Sequence, residues 1–105
     1  GEEGITVFLH IGFAFGGRTK TKELEPTFDK ALDWVRYAPN CYLVCTTATP
    51  RQWYARLRRH LVPGDHVLIV EVLLDNRSGW LPRGIWNWMR EVQDLAVAVE
   101  DGEPV

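Results

Sequence analysis

The chain has 105 residues and a net charge of −2, which gives enough length for one domain around one hydrophobic core. Its composition, 46% hydrophobic and 25% charged, is ordinary for a soluble globular protein, and no apolar run approaches the roughly 18 residues of a membrane span. The small negative charge argues against a protein that coats nucleic acid by bulk electrostatics, so such binding would need a local basic patch. We expect a single domain over 1–105, not associated with membranes, with disordered ends at 1–4 and 100–105.

The two cysteines indicate a reducing compartment. Cys41 and Cys45 are four residues apart in a predicted strand, which places them on one face and roughly 13 Å apart at about 3.3 Å per residue. A disulfide needs Cα atoms within about 7 Å, so we expect two free thiols and a cytoplasmic protein. No second Cys/His pair at ligand spacing accompanies them, so the sequence predicts no metal site. Because the sequence begins at Gly1 instead of Met, we also expect a processed or artificial N-terminus.

Two extended stretches and a helix are predicted in the first half of the chain. Residues 5–15 are rich in aromatic and β-branched side chains, which is typical of a central strand. A basic loop over 16–22 follows this strand. Apolar residues then recur at helical spacing and predict an amphipathic helix over 24–37, through Leu24, Phe28, Leu32 and Val35. Residues 41–49 form the second extended stretch, in a hairpin that begins near Arg36.

The second predicted helix has a well-marked beginning. Thr49 is the expected N-cap, Pro50 occupies the first helical position, and Gln52 completes a capping box. Trp53 then begins the apolar side of the helix, while basic residues occupy the rest of its surface. We expect Trp53 to face the core.

The last third of the chain contains an apolar strand and a further helix. Residues 66–74 are apolar with almost no alternation, which predicts a strand buried on both faces at the centre of its sheet. Pro82 opens a helix that runs to about Val92. Residues 95–99 fit either an edge strand or more helix.

This order of elements predicts an α+β fold, namely a ferredoxin-like split βαβ sandwich with right-handed crossovers and an extra, Trp-rich C-terminal helix. Two helices would cover one face of an antiparallel sheet, and a second copy of the chain is the simplest cover for the other face. We therefore expect a homodimer. Trp86 and Trp88 lie about 200° apart on a helix at roughly 100° per residue, so they cannot both face the core. We expect Trp80, Trp86 and Trp88 to make core and dimer contacts, with one of the last two packed against the partner.

The segment from Asn40 to Met89 carries a more specific pattern. It combines a short apolar strand, a capped helix, a Gly-Asp turn into a second apolar strand, and two nearby tryptophans: Tyr42-Leu43-Val44, Leu57-Arg58-Arg59-His60-Leu61, Gly64-Asp65-His66 and Trp86-Asn87-Trp88. This pattern resembles the SinR-like small proteins, which are similar in fold to the small CRISPR-associated protein of the spacer-integration complex and to virulence-associated protein D. The resemblance implies a ferredoxin-like domain, commonly dimeric, with a link to nucleic acid.

The same resemblance bears on catalysis. Members with proposed nuclease activity place an Asp at the end of the first strand, where paired copies across a dimer would hold a divalent cation such as Mg²⁺. This chain has no acidic residue between Ile5 and Lys22. This absence argues against metal-dependent phosphodiester cleavage, so the sequence favours a binding protein without a cofactor over an enzyme. The alternative is a divergent nuclease, dependent on Mg²⁺ or on a histidine, that would use His10, Glu71 or Asp75.

Each of these three candidates also has a purely structural interpretation. His10, within the first strand, would be a satisfied core or edge residue. Glu71 and Asp75 are four apart and share a face of the predicted strand, and a carboxylate buried in an apolar run needs a partner. A salt bridge to an arginine would meet that need without any catalytic role.

Two basic segments are the candidate contacts to nucleic acid. In the loop, glycine amides and cationic side chains would hold a phosphate: Gly16, Gly17, Arg18, Lys20 and Lys22. On the second helix, arginines interleaved with Trp53 and Tyr54 would combine phosphate contact with stacking: Arg51, Arg56, Arg58 and Arg59. The alternatives are a solvated flexible loop and a solvated helix face over a buried Trp53.

These observations favour a small cytoplasmic homodimer that works as a binding or assembly module, with RNA or DNA as its ligand. The divergent nuclease is the first alternative. The second is an antitoxin-like protein that binds another protein, for which a monomer with an exposed tryptophan patch would be the expected form.

Overall fold

The chain folds into an α+β domain, and its computed structural model describes residues 4–100. Within that range it forms one four-stranded antiparallel sheet and three α-helices. A short 3₁₀ turn over Arg58–His60 continues the second helix. In chain order the elements are β1 (Val7–Ala14), α1 (Thr21–Phe28), β2 (Asp33–Ala38), β3 (Cys41–Thr46), α2 (Pro50–Leu57), β4 (His66–Val72) and α3 (Arg83–Glu100).

The sheet has the strand order β2-β3-β1-β4, and every neighbouring pair is antiparallel. β1 and β3 are therefore central, and β2 and β4 are edges. In β1, Leu9 lies opposite Val44, and His10 lies opposite Leu43 and Val70. Successive side chains of a strand point to opposite faces, so Leu9 marks the first face of the sheet and His10 marks the second.

The helices α1 and α2 cover the first face. Trp53 of α2 is 0% exposed, and its indole N–H donates to the Thr46 hydroxyl over 3.0 Å. Phe28 of α1 stacks on Tyr42 of β3 with ring centroids 4.1 Å apart. Full burial of a large apolar side chain contributes about 2–3 kcal/mol, so these aromatics dominate the core. The prediction that Trp53 faces inward is confirmed.

The helix α3 lies across part of the second face. Its Met89 packs with Leu43 of β3 and with Leu74, which follows β4, in a second buried cluster. The part of this face on β4 stays open, because Leu68 is 63% exposed and Val70 is 41% exposed. The chain's own helix thus supplies part of the cover for which the sequence predicts a second copy.

The predicted helix over 24–37 is wrong in its second half. α1 ends at Phe28, and a turn leads into β2, where the amide of Leu32 donates to the carbonyl of Cys45 over 2.9 Å. Leu32 is 58% exposed, so it does not belong to the apolar face that the helical spacing required. Residues 34–37, which are mainly aromatic or β-branched, suit a pleated strand, and their pairing with β3 overrides the helical spacing.

The predicted central position of residues 66–74 is also wrong. This segment contains β4, which ends at Val72 and lies at an edge of the sheet, beside β1. Val67 and Ile69 pack against the core of the first face, whereas Leu68 and Val70 point to the partly open second face. The run is apolar because β4 has apolar side chains on both faces of the sheet. The first face is covered by α1 and α2, and the second face is covered only in part by α3.

Several other elements agree more closely with the predictions from the sequence. The strand predicted over 5–15 is β1, and the predicted hairpin is formed by β2 and β3. α3 is longer than expected and includes residues 95–99, which are helical. Of the ends expected to be disordered, residues 1–3 and 101–105 lie outside the described residues. None of the helices described within residues 4–100 combines the length and the apolar character that crossing a membrane requires.

The predicted capping box of α2 is confirmed. The amide of Gln52 donates to the Thr49 hydroxyl over 3.1 Å, and the amide of Thr49 donates to the Gln52 side-chain oxygen over 2.8 Å. Pro50 occupies the start of the helix, where an N–H would have no partner within the helix. Two amides at the helix end are thereby satisfied by side chains.

Replacing Thr49 by Ala should lower the free energy of unfolding by about 1 kcal/mol, because the amide of Gln52 loses its acceptor. Thr49→Ser keeps the hydroxyl and should unfold nearly as the unaltered protein does. Urea denaturation followed by circular dichroism measures both values. Equal losses in the two variants would contradict a stabilising role for the cap.

Candidate functional site

The basic loop over 16–22 is closed by an acidic side chain from the turn before β4. Asp65 accepts a hydrogen bond from the Gly16 amide over 2.9 Å and another from the Val62 amide over 3.0 Å. Its carboxylate also pairs with the Lys20 ammonium at 2.5 Å. The two side chains of this ion pair are almost buried, 1% exposed for Asp65 and 9% for Lys20. The loop therefore already binds an anion, namely the Asp65 carboxylate of the same chain.

Backbone geometry explains why glycines stand at this corner. A Cβ on Gly16 would lie 2.7 Å from the carbonyl oxygen of Gly64, a distance that side chains do not tolerate. Gly64 itself has a φ of +99°, a conformation that other residues rarely adopt. The close approach of the two segments thus requires glycine at position 16, and the backbone conformation favours glycine at position 64.

The contacts of Asp65 change its acidity. The hydrogen bond from Lys20 lowers the pKa of the Asp65 carboxyl most, and the amides of Val62 and Gly16 add to this, so that the pKa falls from 3.8 to about 2. The group is therefore ionised at neutral pH, as its partner ammonium requires.

The loop residues predicted to hold a phosphate consequently divide into two groups. The Gly16 amide and the Lys20 ammonium are engaged by Asp65. Gly17, Arg18 and Lys22 lie at the surface, where Arg18 makes an exposed ion pair with Glu23. Exposed ion pairs contribute little energy and open easily, so Arg18 and Lys22 remain available to an external anion.

The structure places the loop beside the end of the arginine-rich helix. The Lys20 ammonium, besides its bond to Asp65, donates to the carbonyl of His60 over 3.0 Å. The His60 ring lies 3.5 Å from the Thr27 hydroxyl of α1. The two basic segments that the sequence predicts separately therefore adjoin.

Two arginines of α2 and its 3₁₀ turn each lie over an aromatic ring, but only one of the two rings is exposed. Arg56 lies over the ring of Trp53 at 4.9 Å, but that ring is fully buried, as the structural alternative required. Arg58 lies 6.0 Å from the ring of Tyr54, which is 48% exposed. Arg51 and Arg59 are exposed as well. Any stacking on this surface would involve Tyr54.

The three candidate catalytic residues do not meet in one site: Glu71 and Asp75 line one pocket, whereas His10 lines another. Glu71 lies opposite Leu9 and so belongs to the first face, whereas His10 belongs to the second. Glu71 is exposed, so it needs no buried partner. Asp75 lies beyond the end of β4 and accepts a hydrogen bond from the Gln93 side chain over 3.1 Å. Among the described residues, no three His, Cys, Asp or Glu side chains cluster in a way that would hold a metal ion.

His10 instead forms a pair with a tyrosine on the second face. Its Nε2 and the Tyr37 hydroxyl share a hydrogen bond of 2.6 Å, and the ring centroids lie 5.6 Å apart. Burial lowers the pKa of the His10 imidazole. Burial also raises the pKa of the Tyr37 hydroxyl, and the nearby Cys41 thiol adds to that increase. The pair is therefore neutral, and Tyr37 is a residue that the sequence interpretation missed because it placed residue 37 in a helix.

The tryptophans of the C-terminal third have distinct positions. Trp80 is 99% exposed. Trp86 and Trp88 are both half-buried and both pack against the cluster around Met89, so the prediction that only one of them would face the core is wrong. Their long indole side chains extend from opposite flanks of α3 and still reach the same cluster. The interface role predicted for these three residues remains a prediction.

The two cysteines are free thiols on β3. Cys45 is buried, and burial followed by the charge of Asp33 raises the pKa of its thiol to about 11. A thiol of this kind stays protonated and unreactive.

The role of Asp65 was detectable only through the strand pairing. Ala14 lies opposite His66, so the residues that follow β1 must run beside the residues that precede β4. A sequence interpretation that places residues 66–74 at the centre of the sheet contains no such neighbour relation. The signal was a glycine pair after one strand and a Gly-Asp turn before another.

Comparisons of this chain with protein-family models, with curated proteins and with solved structures found no match in any of the three. The resemblance to the SinR-like proteins therefore stays a prediction.

Replacing Asp65 by Asn should lower the melting temperature at pH 7 by several degrees, because the Lys20 ammonium would stay buried without its counter-ion. Since the folded pKa of Asp65 lies below its ordinary value of 3.8, its contribution is present above about pH 4 and is lost as the pH falls towards about 2. Thermal melts between pH 2 and pH 7 should show that loss in the unaltered protein and a smaller one in Asp65→Asn. The exposed Asp75→Asn is the matched control, and an Asp65→Asn melt equal to that of the unaltered protein at pH 7 would contradict the role of the ion pair.

Proposed function

We propose that the protein is a ferredoxin-like, homodimeric binding module, and that its basic surface binds the sugar–phosphate backbone of single-stranded RNA or DNA. The basic surface consists of the exposed cations of the loop and of α2 with its 3₁₀ turn: Arg18, Lys22, Arg51, Arg58 and Arg59. The observation that carries the proposal is the hydrogen bond from Lys20 to the carbonyl of His60, which sets the two segments side by side.

The ferredoxin-like part of the proposal rests on the connections between strands. β1 and β2 are both antiparallel to β3 and flank it, while β3 and β4 are both antiparallel to β1 and flank that strand. Each of these parallel pairs is joined through one helix, α1 or α2, and both helices pack on the first face. This connectivity supports the split βαβ arrangement that we propose, with α3 added on the other face.

The spacing of the exposed side chains on α2 fits an extended ligand. Arg51, Tyr54 and Arg58 are separated by three and four residues, so they lie along one stripe of the helical surface. Guanidinium groups bind phosphate oxygens through paired N–H donors, and an exposed phenol ring offers a base a surface for stacking. A single strand exposes its bases for stacking, whereas a duplex does not.

Replacing Arg58 and Arg59 together by Gln should weaken binding of fluorescein-labelled 15-mer oligouridine and oligothymidine. If each arginine neutralises one phosphate, the slope of log affinity against log salt should decrease in magnitude by about 1.4, because each phosphate of a single strand contributes about 0.7. Fluorescence anisotropy between 50 and 200 mM salt, in the presence of a chelator, measures both quantities.

The matched control is Arg83→Gln with Arg90→Gln on α3, which removes the same charge from the opposite side of the sheet. Equal weakening in the control pair would show that net charge alone drives binding and would contradict the proposed surface. Cleavage of the labelled strand on addition of Mg²⁺ would favour the nuclease, and absence of any binding would favour a protein partner.

The homodimer proposed here would form at the free edge of β4. An edge strand presents unpaired backbone groups that a second copy would pair, and Leu68 on this strand adds exposed apolar surface. The chain's helix α3 leaves this edge open, since it packs towards β2. The first face is already closed by α1 and α2.

Light scattering after size exclusion should give twice the 12.1 kDa of one chain at protein concentrations near 100 μM. Leu68→Lys should shift the protein to the monomer, because a lysine on an edge strand opposes pairing between strands. Leu32→Lys replaces another exposed leucine, in the turn before β2, and should leave the dimer intact. A monomeric unaltered protein would overturn the proposed dimer.

A further inference from the structure

A pocket opens on the second face of the sheet, between β1, β4 and α3. Its volume is about 380 Å³, within the range of pockets that enclose small organic molecules. The sheet supplies its floor through His10, Val70 and Val72, and the segment 77–81 with Trp86 of α3 forms its wall. The basic surface proposed above lies on the other side of the sheet, so the two sites are separate.

The lining of this pocket is apolar except at a few points that converge. The polar groups of the floor are the His10 imidazole and the Tyr37 hydroxyl, which form a neutral hydrogen-bonded pair. Arg77 supplies a positive charge at the wall, and no acidic side chain occurs among the described residues that line the pocket. A cationic ligand would thus meet a like charge, whereas an anionic ligand would meet a complementary one.

Arg77 is held in place by the fold. Its Nη1 donates to the carbonyl of Leu74 over 2.7 Å and to the side-chain oxygen of Gln93 on α3 over 2.5 Å. These bonds fix the guanidinium where the chain leaves β4, and its remaining N–H groups give it further capacity as a donor. A positioned arginine in an apolar surround is well suited to a carboxylate.

Two tryptophans, Trp80 and Trp86, supply the aromatic surface of the pocket wall. Trp86 presents its ring beside Gly79, where a Cβ would lie 3.6 Å from the indole. Trp80, at the rim of the pocket, is 99% exposed, which is unusual for so large an apolar side chain. A planar ring in the pocket would contact both indoles and remove apolar surface from water.

We propose that this pocket binds a small aromatic carboxylic acid, with the ring against Trp86 and Trp80 and the carboxylate towards Arg77. The occupant is defined by the apolar lining, the single cation and the absence of acidic groups among the lining residues. The His10–Tyr37 pair supplies a second hydrogen-bonding point on the floor. This proposal does not depend on the nucleic-acid surface.

The test uses three naphthalene probes of one shape and different charge: 1-naphthoate, 1-naphthalenemethanol and 1-naphthylmethylammonium. Each is titrated into ¹⁵N-labelled protein, and the indole N–H signals of the tryptophans are followed by NMR. Saturable shifts should occur at Trp80 and Trp86, with 1-naphthoate bound at least tenfold more tightly than the ammonium probe. Trp34 and Trp53 belong to the first face and should not shift.

Variants separate the pocket from non-specific binding. Val70→Phe fills the pocket and should weaken 1-naphthoate at least tenfold, whereas Leu32→Phe, at an exposed leucine outside the lining, should not. Arg77→Gln should weaken 1-naphthoate and leave the alcohol unchanged. Equal weakening of both probes would indicate a merely structural arginine and would overturn the assignment of the carboxylate.

Three other outcomes would also overturn the proposal. They are shifts that do not saturate, shifts of equal size at all the indoles, and absence of binding because a second copy covers the pocket. The variant with both Arg58→Gln and Arg59→Gln should bind 1-naphthoate as the unaltered protein does. Failure of the proposed oligonucleotide binding can therefore be distinguished from failure of the proposed pocket.

Discussion

The carboxylate of Asp65 is the constraint on which one whole end of the molecule depends. It accepts two backbone amides and one nearly buried ammonium, and so joins the loop after β1 to the turn before β4. Lys20 extends the same contact to the carbonyl of His60 and thereby to the end of α2. Burial of an ion pair costs desolvation of both charges, and such a pair persists where further hydrogen bonds satisfy the ions, as they do here. The orientation of the basic surface follows from this contact, because the residues that flank Lys20 and His60 are the ones that carry its charges.

Local signals in the sequence account for the elements whose determinants are local. The N-cap at Thr49, the inward position of Trp53 and the strand over 5–15 all depend on residues within one turn or one strand, and all three agree with the structure. The helix over 24–37 failed because its second half is decided by pairing with β3, a contact between distant parts of the chain. Propensity and spacing carry no information on such a contact, and both patterns fit the apolar residues around Val35.

The candidate site also contains features set by local residues and features set by contacts between distant residues. Its arginines were predictable as a basic helix face, because they lie close together in the sequence and the start of the helix is well marked. The engagement of Lys20 and of the Gly16 amide by Asp65 was not, since it joins residues more than 40 positions apart. The pairing of His10 with Tyr37 also required the correct order of the strands, because β1 and β2 are separated by β3. The sequence shows which side chains can donate, accept or carry charge, but the order of the strands decides which of them come into contact.

The open part of the second face follows from the dimensions of the elements. Four strands about 4.8 Å apart make a sheet nearly 20 Å across, whereas one helix with its side chains is about 10 Å wide. Two helices, α1 and α2, therefore suffice for the first face, and the single helix α3 leaves about half of the second face without cover. Because α3 packs towards β2, the open half lies over β1 and β4, where His10, Val70 and Trp80 are found. The apolar run of β4 is thus the expected sequence of a strand whose second face is completed by something other than this chain's own helices.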